Sequence, residues 1–240
     1  MQKTSAIFLS VGDHSYFLDY CINNLIDKVD LFINFYGSDL NQYENIKKAA
    51  KYFSEYKTTK FPALKKIYNI SGINEYSNVF VYDDDCIVDS GNLLDLIHLM
   101  NKYNIQIISP SHSTKAKYSH PIMLTHSGTH LFRYTNFIEM NFPMFSKDSL
   151  KKYMEVYDGN LYGWGNDWWY LNAINARENN VCAIVDKICV INPHNYQKKA
   201  PNDSIDNFLS RDLRHEQWKQ TRNNNKLYEW QHKNLEFIYE

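Results

Sequence analysis

Short apolar runs alternate with stretches of helical spacing through the first half of the chain. Residues 4–11 (TSAIFLSV) are strand formers ended by Gly12 and Asp13, the pattern of a buried strand. Phe17, Leu18, Cys21, Ile22 and Leu25 recur at helical intervals, which predicts a helix over 15–26. A second strand is predicted over 29–37, stopped by Gly37, and a second helix is marked by Tyr43, Ile46, Ala49, Ala50 and Phe53. Residues 62–70 open on Pro62, which suits a first helical turn. The run 79–82 is the next strand, 90–104 a helix with Asp89 or Ser90 as N-cap, and 105–109 another strand. Strand–helix alternation of this kind predicts an α/β fold with a mixed, mostly parallel sheet flanked by helices.

The second half is less regular. Strand is expected within 129–140, helix over 146–157 behind Ser146, helix over 166–178 and strand over 181–191. From residue 203 the chain is polar, with amphipathic stretches around 208–218 and 227–237. No internal repeat or low-complexity linker divides the chain. Residues 1–200 are expected to form one catalytic domain, with 201–240 a helical extension packed on its core.

Composition narrows the function classes. The chain has 240 residues, 44% apolar and 22% charged, as in soluble globular proteins. A net charge of −1 gives no basic patch for general nucleic-acid binding. Cys21, Cys86, Cys182 and Cys189 show neither CxxC nor zinc spacing, which points to reduced thiols and a cytoplasmic location. No stretch has the length of a membrane span, and the start lacks a signal layout. Aromatic residues make up 15%, either stacking surfaces for sugars or bases, or core and surface tyrosine. No GxxxxGK occurs, which argues against a P-loop enzyme.

Two motifs carry chemistry. Asp83, Asp84 and Asp85 end an apolar strand, and ligands of parallel sheets bind beyond such strand ends. Carboxylates there suit magnesium or manganese; the alternative is a solvated acidic turn. The second motif is NLYGWGNDWWYLN, residues 160–172. Its glycines permit close backbone approach, Trp164 offers a stacking face, and Asp167 is placed to take a proton from a hydroxyl. The alternative is a loop closed by core tryptophans with Asp167 as N-cap.

Taken together, DDD followed by GWG-x-D resembles the GT-A class of nucleotide-sugar glycosyltransferases. More closely, the chain resembles a bacterial and plant family with a GT-A-like core, known as a domain of unknown function. The matching stretches are SVGDHS (10–15), DLFINFYG (30–37), VFVYDDDCIVD (79–89), RYTNFIEMNFPMFSKDSL (133–150), GWGNDWW (163–169) and AIVDKICVI (183–191), in order over residues 5–195.

The resemblance implies a single GT-A-like domain and a metal-dependent transfer of sugar from a nucleotide-sugar donor to a glycan or lipid-linked hydroxyl. Asp83 and Asp85 would hold Mn2+ or Mg2+ and the donor diphosphate, Asp85 as the more direct ligand, with Asp84 beside them. The loop Val11–Gly12–Asp13–His14–Ser15 would line the nucleotide pocket, Asp13 meeting the base or ribose. Lys60 either adds positive charge near the donor or is a solvated surface lysine. Asp167 would be the general base of an inverting reaction, with Trp164 and Gly165 against the substrate. Arg133 and Glu139 either contact the acceptor or pair with each other. His194 stands two residues beyond the place where members carry a histidine, as a third metal ligand or a loop residue. Asp186 is a second-sphere partner or a structural acid; His98 and His215 read as surface or core.

The AT-rich-genome composition associates the chain with bacterial surface-polysaccharide synthesis. The apolar stripe Trp218, Leu227, Trp230, Leu235 and Phe237 packs on the core, docks a partner or rests on a membrane surface. The rival readings are a sugar nucleotidyltransferase and a non-catalytic glycan- or nucleotide-binding module. SVGDHSYFLD has one glycine and no Arg or Lys, against the phosphate loop the first rival needs.

Overall fold

Apolar residues that alternate along the first strand reach two separate cores. β1 (Ser5–Val11) sends Ala6 and Phe8 to one face of a sheet and Ile7, Leu9 and Val11 to the other, as period-two geometry requires. The computed structural model describes residues 3–115, 117–193 and 209–239. Within them follow α1 (Tyr16–Asn24), β2 (Asp30–Phe35), α2 (Leu40–Ala49), β3 (Tyr52–Ser54), α3 (Lys60–Ile67), β4 (Asn78–Asp83), β5 (Ile87–Ser90) and α4 (Leu94–Tyr103). Then come β6 (Ile107–His112), β7 (Phe132–Thr135), β8 (Met144–Ser146), α5 (Lys147–Val156), α6 (Asn166–Ala173), β9 (Cys182–Ile191), α7 (Arg211–Asn225) and β10 (Asn234–Ile238).

The strands form one sheet in the order β10-β7-β9-β6-β8-β4-β1-β2-β3, with β5 on β9 off this path. β3, β2, β1 and β4 are mutually parallel, and so are β6 and β9. β8 runs antiparallel between β4 and β6, while β7 and β5 oppose β9 and β10 opposes β7. Only β5, β7 and β8 therefore run against the common direction, which is the mixed, mostly parallel α/β sheet expected. Residues of α1, α2 and α4 share one core; those of α3, α5 and α6 share the other, joined by Trp218 of α7. The four cysteines are buried and free. No helix among the described residues is long and apolar enough to cross a membrane.

Four local expectations are corrected. Phe53 belongs to β3, because the Tyr52–Phe53 pair stacks on Phe32 and Phe35 instead of continuing the helix. Asp89 and Ser90 lie in β5, and Asn92 Oδ1 accepts from the Leu94 N–H to start α4 instead. Helix ends short of 178, after Ala173, whereas the strand expected within 129–140 is found as β7. The C-terminal extension is only half helical: α7 stops at Lys226 in the left-handed region (φ 53°), and the Leu-x-Phe alternation of β10 adds an edge strand to β7.

The sheet brings the carboxyl ends of β1, β2, β4 and β6 to one edge. Residues 141–146 enter between β4 and β6: Asp83 N–H donates to Asn141 O (2.9 Å), Val81 N–H to Pro143 O (2.9 Å), and β8 then pairs with both strands. Glu139 and Met140 thus emerge between the ends of β4 and β6.

Candidate active site

β4 delivers Asp83 to this edge, with Asp84 and Asp85 in the turn after it. Lys60 starts α3 and reaches across. Its Nζ donates to Asp83 Oδ1 (2.6 Å) and to the carbonyls of Met140 (2.6 Å) and Asn141 (3.4 Å). At 7% exposure it is no solvated lysine. It is brought to the acids, but its hydrogen bonds end on protein oxygens instead of pointing at open space.

Ligand atoms of Asp83, Asp85 and Cys86 lie within 4.8 Å of one another. Burial, then the charges of Asp85 and Asp83, push the Cys86 thiol well up, and a soft sulfur is not the ligand that a hard cation selects. What remains is a pair of carboxylates, a hard oxygen set that fits magnesium or manganese. Asp84 has a different task. Its Oδ2 accepts from the Gly12 N–H (3.0 Å), and its carbonyl accepts from Ser15 Oγ (2.9 Å) and the Phe17 N–H (3.0 Å). Burial and its acidic neighbours push its carboxyl well above the usual range against that one bond from Gly12. Asp84 pins the first loop to the acid turn.

The loop after β1 is held the same way. The Val11 side chain is fully buried in the core and anchors the start of this loop. Asp13 accepts from the Ser38 N–H (2.6 Å), Ser38 Oγ (3.1 Å) and the Asp39 N–H (2.7 Å). Burial raises its carboxyl, but those bonds outweigh it and leave the pKa lowered. Asp13 therefore ties two loops of the edge together where a base or ribose contact was expected; His14 beside it is exposed.

Asp167 sits in the first turn of α6, 5% exposed, its Oδ1 accepting from the Trp168 N–H (2.9 Å). The N-cap is Gly165, not Asp167. Asn166 sews the preceding loop in place through the carbonyls of Leu161 (3.1 Å) and Gly163 (2.6 Å), and accepts from Tyr153 OH (2.7 Å). Tyr170 OH donates to Ile138 O (2.6 Å), which ties α6 to the segment carrying Glu139. Burial raises Asp167 to about 7 against the Trp168 hydrogen bond, with Glu229 of the C-terminal segment pushing the same way. Burial, then the charge of Asp167, raises Glu139 to about 8, with Asp83 adding to the push. Glu139 is therefore within electrostatic reach of both Asp83 and Asp167.

Three expected substrate contacts are otherwise engaged. Gly165 has φ +93°, and a Cβ there would lie 2.2 Å from Trp218 Cε3, so the glycine makes room for α7. Trp164 is half-buried against the same helix, edge-on to His215 (3.7 Å between ring centres) and under Arg211. Arg133 is fully buried. It binds Asp186 through Nε (2.9 Å) and an Nη (3.3 Å), the carbonyls of Ile122 (2.8 Å) and Leu124 (3.0 Å), and Asn234 Oδ1 (2.7 Å). Asp186 also meets His130 Nε2 (2.8 Å) and the His126 N–H (2.9 Å). Arg133 thus pairs with Asp186, not Glu139, and locks β10 to the sheet; Asp186 is a structural acid. His194 lies outside the described residues.

Two residues at the edge escape a reading of the sequence. Asn34 is buried at the end of β2 and bonds Ser10 Oγ, Ser54 Oγ and both backbone groups of Tyr56. Its only signal is a polar residue inside an apolar run. His112 ends β6 beside Glu139; its signal is a histidine at a strand's carboxyl end.

No known family profile and no curated protein matches the chain. Among solved structures it is similar to S. aureus TarS: 11% identity, TM-score 0.57, 81% of this chain and 37% of that one. A 1–349 form of TarS gives 10% identity, TM-score 0.55, and covers 81% and 61%. GalNAc-T7 with UDP, GalNAc and Mn2+ gives 9% identity, TM-score 0.61, and covers 92% and 48%. The chain thus spans less than two thirds of these proteins' lengths. The likeness is one of fold, and that fold is the GT-A glycosyltransferase fold anticipated from the motifs.

Proposed function

We propose that the chain is a metal-dependent, inverting glycosyltransferase that moves a sugar from a nucleoside-diphosphate donor to a hydroxyl of a glycan or lipid-linked acceptor. The observation that carries this reading is the pair Asp83 and Asp85 at the carboxyl end of β4, with ligand atoms within 4.8 Å of each other, the place where such sheets bind ligands. Asp85 and Asp83 would hold the divalent ion, which supplies neutralisation of the leaving diphosphate. Lys60 balances the charge of Asp83 from the other side. Asp167 takes the proton of the acceptor hydroxyl as that oxygen bonds to the anomeric carbon and the nucleoside diphosphate departs. Burial near neutrality tunes this carboxyl for base work. The GalNAc-T7 structure carries UDP and Mn2+, the ligand chemistry this reading requires here. A place in bacterial surface-polysaccharide synthesis is consistent with such an acceptor.

A second reading, a module that binds without turnover, is favoured by one observation: Lys60 already neutralises Asp83 at 2.6 Å. Incubation with manganese and a panel of nucleotide sugars separates the readings. Free nucleoside diphosphate as product supports the transferase. Pyrophosphate released from a nucleoside triphosphate and a sugar 1-phosphate in a parallel incubation points to a nucleotidyltransferase, and binding without product to the module.

A further inference from the structure

Among the described residues, His112 has no hydrogen bond at either ring nitrogen, and Glu139 Oε2 has none either. They face each other with Nδ1 and Oε2 3.7 Å apart, too far for a hydrogen bond. Elsewhere the Glu139 carboxyl meets Asn141 Nδ2, 3.4 Å from Oε1, and the side chain of Ser119. His112 is 0% and Glu139 5% exposed. Buried polar groups are ordinarily satisfied, and each orphan costs about 1–3 kcal/mol. Two unpartnered buried atoms that face each other call for a shared polar partner. An oxygen about 2.8 Å from both atoms would bridge them, and a hydroxyl both donates and accepts.

Their position says whose hydroxyl. β6 and β4 are separated by β8 alone, which puts their ends about 10 Å apart. Glu139 emerges between them, within electrostatic reach of Asp83 and Asp167. A sugar held between the acid turn and the base would lie beside this carboxyl. Phe142 stands edge-on to the His112 ring (6.2 Å, 76°) and limits its rotation.

We propose that Glu139, backed by His112, forms the subsite that holds a hydroxyl of the transferred sugar and so selects the donor. Glu139 touches the hydroxyl; His112 is a positioning residue that orients Glu139 from the buried side. This rests on the transferase reading above and adds to it the element of sugar selectivity.

The test uses epimeric donor pairs: UDP-glucose with UDP-galactose, UDP-GlcNAc with UDP-GalNAc, and GDP-mannose with GDP-glucose. Each is hydrolysed in manganese by the wild type, Glu139→Gln, His112→Phe and His112→Gln; UDP and GDP binding is measured in parallel. The wild type is expected to separate the members of its preferred pair by roughly 10–100-fold, the weight of leaving a buried polar group unpaired against the wrong epimer. Glu139→Gln and His112→Phe compress that ratio to about threefold or less, and His112→Gln restores part of it, while nucleoside-diphosphate binding stays within about threefold. The isosteric Glu139→Gln carries the test should His112→Phe fail to fold. An unchanged epimer ratio in Glu139→Gln, or its loss of UDP or GDP binding, overturns the subsite and leaves the transferase reading standing. Absence of manganese-dependent UDP or GDP binding in the wild type removes both.

Discussion

Two acid–histidine pairs lie buried in this molecule, and they are built to opposite ends. Where β7 meets β9, Asp186 and His130 are 2.8 Å apart, and Arg133 and the His126 N–H fill the remaining acceptor positions of Asp186. Where β6 ends, Glu139 and His112 stand 3.7 Å apart and facing atoms lack hydrogen bonds. A buried charge is tolerated when paired and bonded, so the first cluster is complete and its product is architecture: it holds β10 on the sheet. The second is incomplete, and incompleteness at a cleft edge marks where a ligand's polar groups belong. Burial of an acid therefore says little until its partners are counted.

The sharpest way to break this contrast is at the base. Asp167→Asn should lower sugar transfer by on the order of 10²–10⁴-fold while donor binding persists; steady-state kinetics beside a binding titration would show it. In the wild type, turnover should fall as pH drops through about 7, the carboxyl's raised value. Its effect on stability has the opposite sense. The folded carboxyl keeps its proton up to about 7 where the unfolded one loses it near 3.8, so its stabilisation is present at low pH and lost as pH rises through about 7. Asp167→Asn should accordingly be more stable than the wild type above pH 7 by roughly 1–2 kcal/mol, read from urea midpoints at several pH values.

Next in size is the completed cluster. Arg133→Met leaves Asp186 charged and buried, and should cost about 3–5 kcal/mol in urea unfolding. A substrate-binding arginine would instead lower turnover at unchanged stability. Gly165→Ala follows, at about 1–3 kcal/mol, because φ is +93° and the new Cβ meets the Trp218 ring. In thermal melting, Gly165→Ala on a Trp218→Leu background should cost less than on the wild type, leaving the part due to the positive φ. The smallest effect belongs to Glu139. Its raised pKa, about 8, means stability lost as pH rises through 8, and Glu139→Gln should gain about 1 kcal/mol at pH 8 where Arg133→Met loses several.

The same contrast shows what the chain's order reveals. The end of β4 is legible because an apolar run has to stop where three carboxylates begin, and Asp167 is legible because glycines and an acid at a helix start limit the possibilities. Arg133 looked like a site residue because its partner Asp186 is 53 residues away, a pairing no local pattern carries. Asp13 and Asp84 share the acidic composition of a ligand site, yet backbone N–H groups from other loops consume them. β3, β5 and β8 have only three or four residues each, too few for a period to register. His112 depends on one of these, since only the insertion of 141–146 beside β6 brings Glu139 to it.

Titration of UDP, GDP and dTDP into the protein and its Asp85→Ala variant, with and without manganese, tests the central claim most directly. The account predicts that one of these nucleotides binds only with the metal, and that Asp85→Ala weakens it at least about tenfold, or 1.4 kcal/mol. Binding of equal strength without manganese, or in Asp85→Ala, would contradict it.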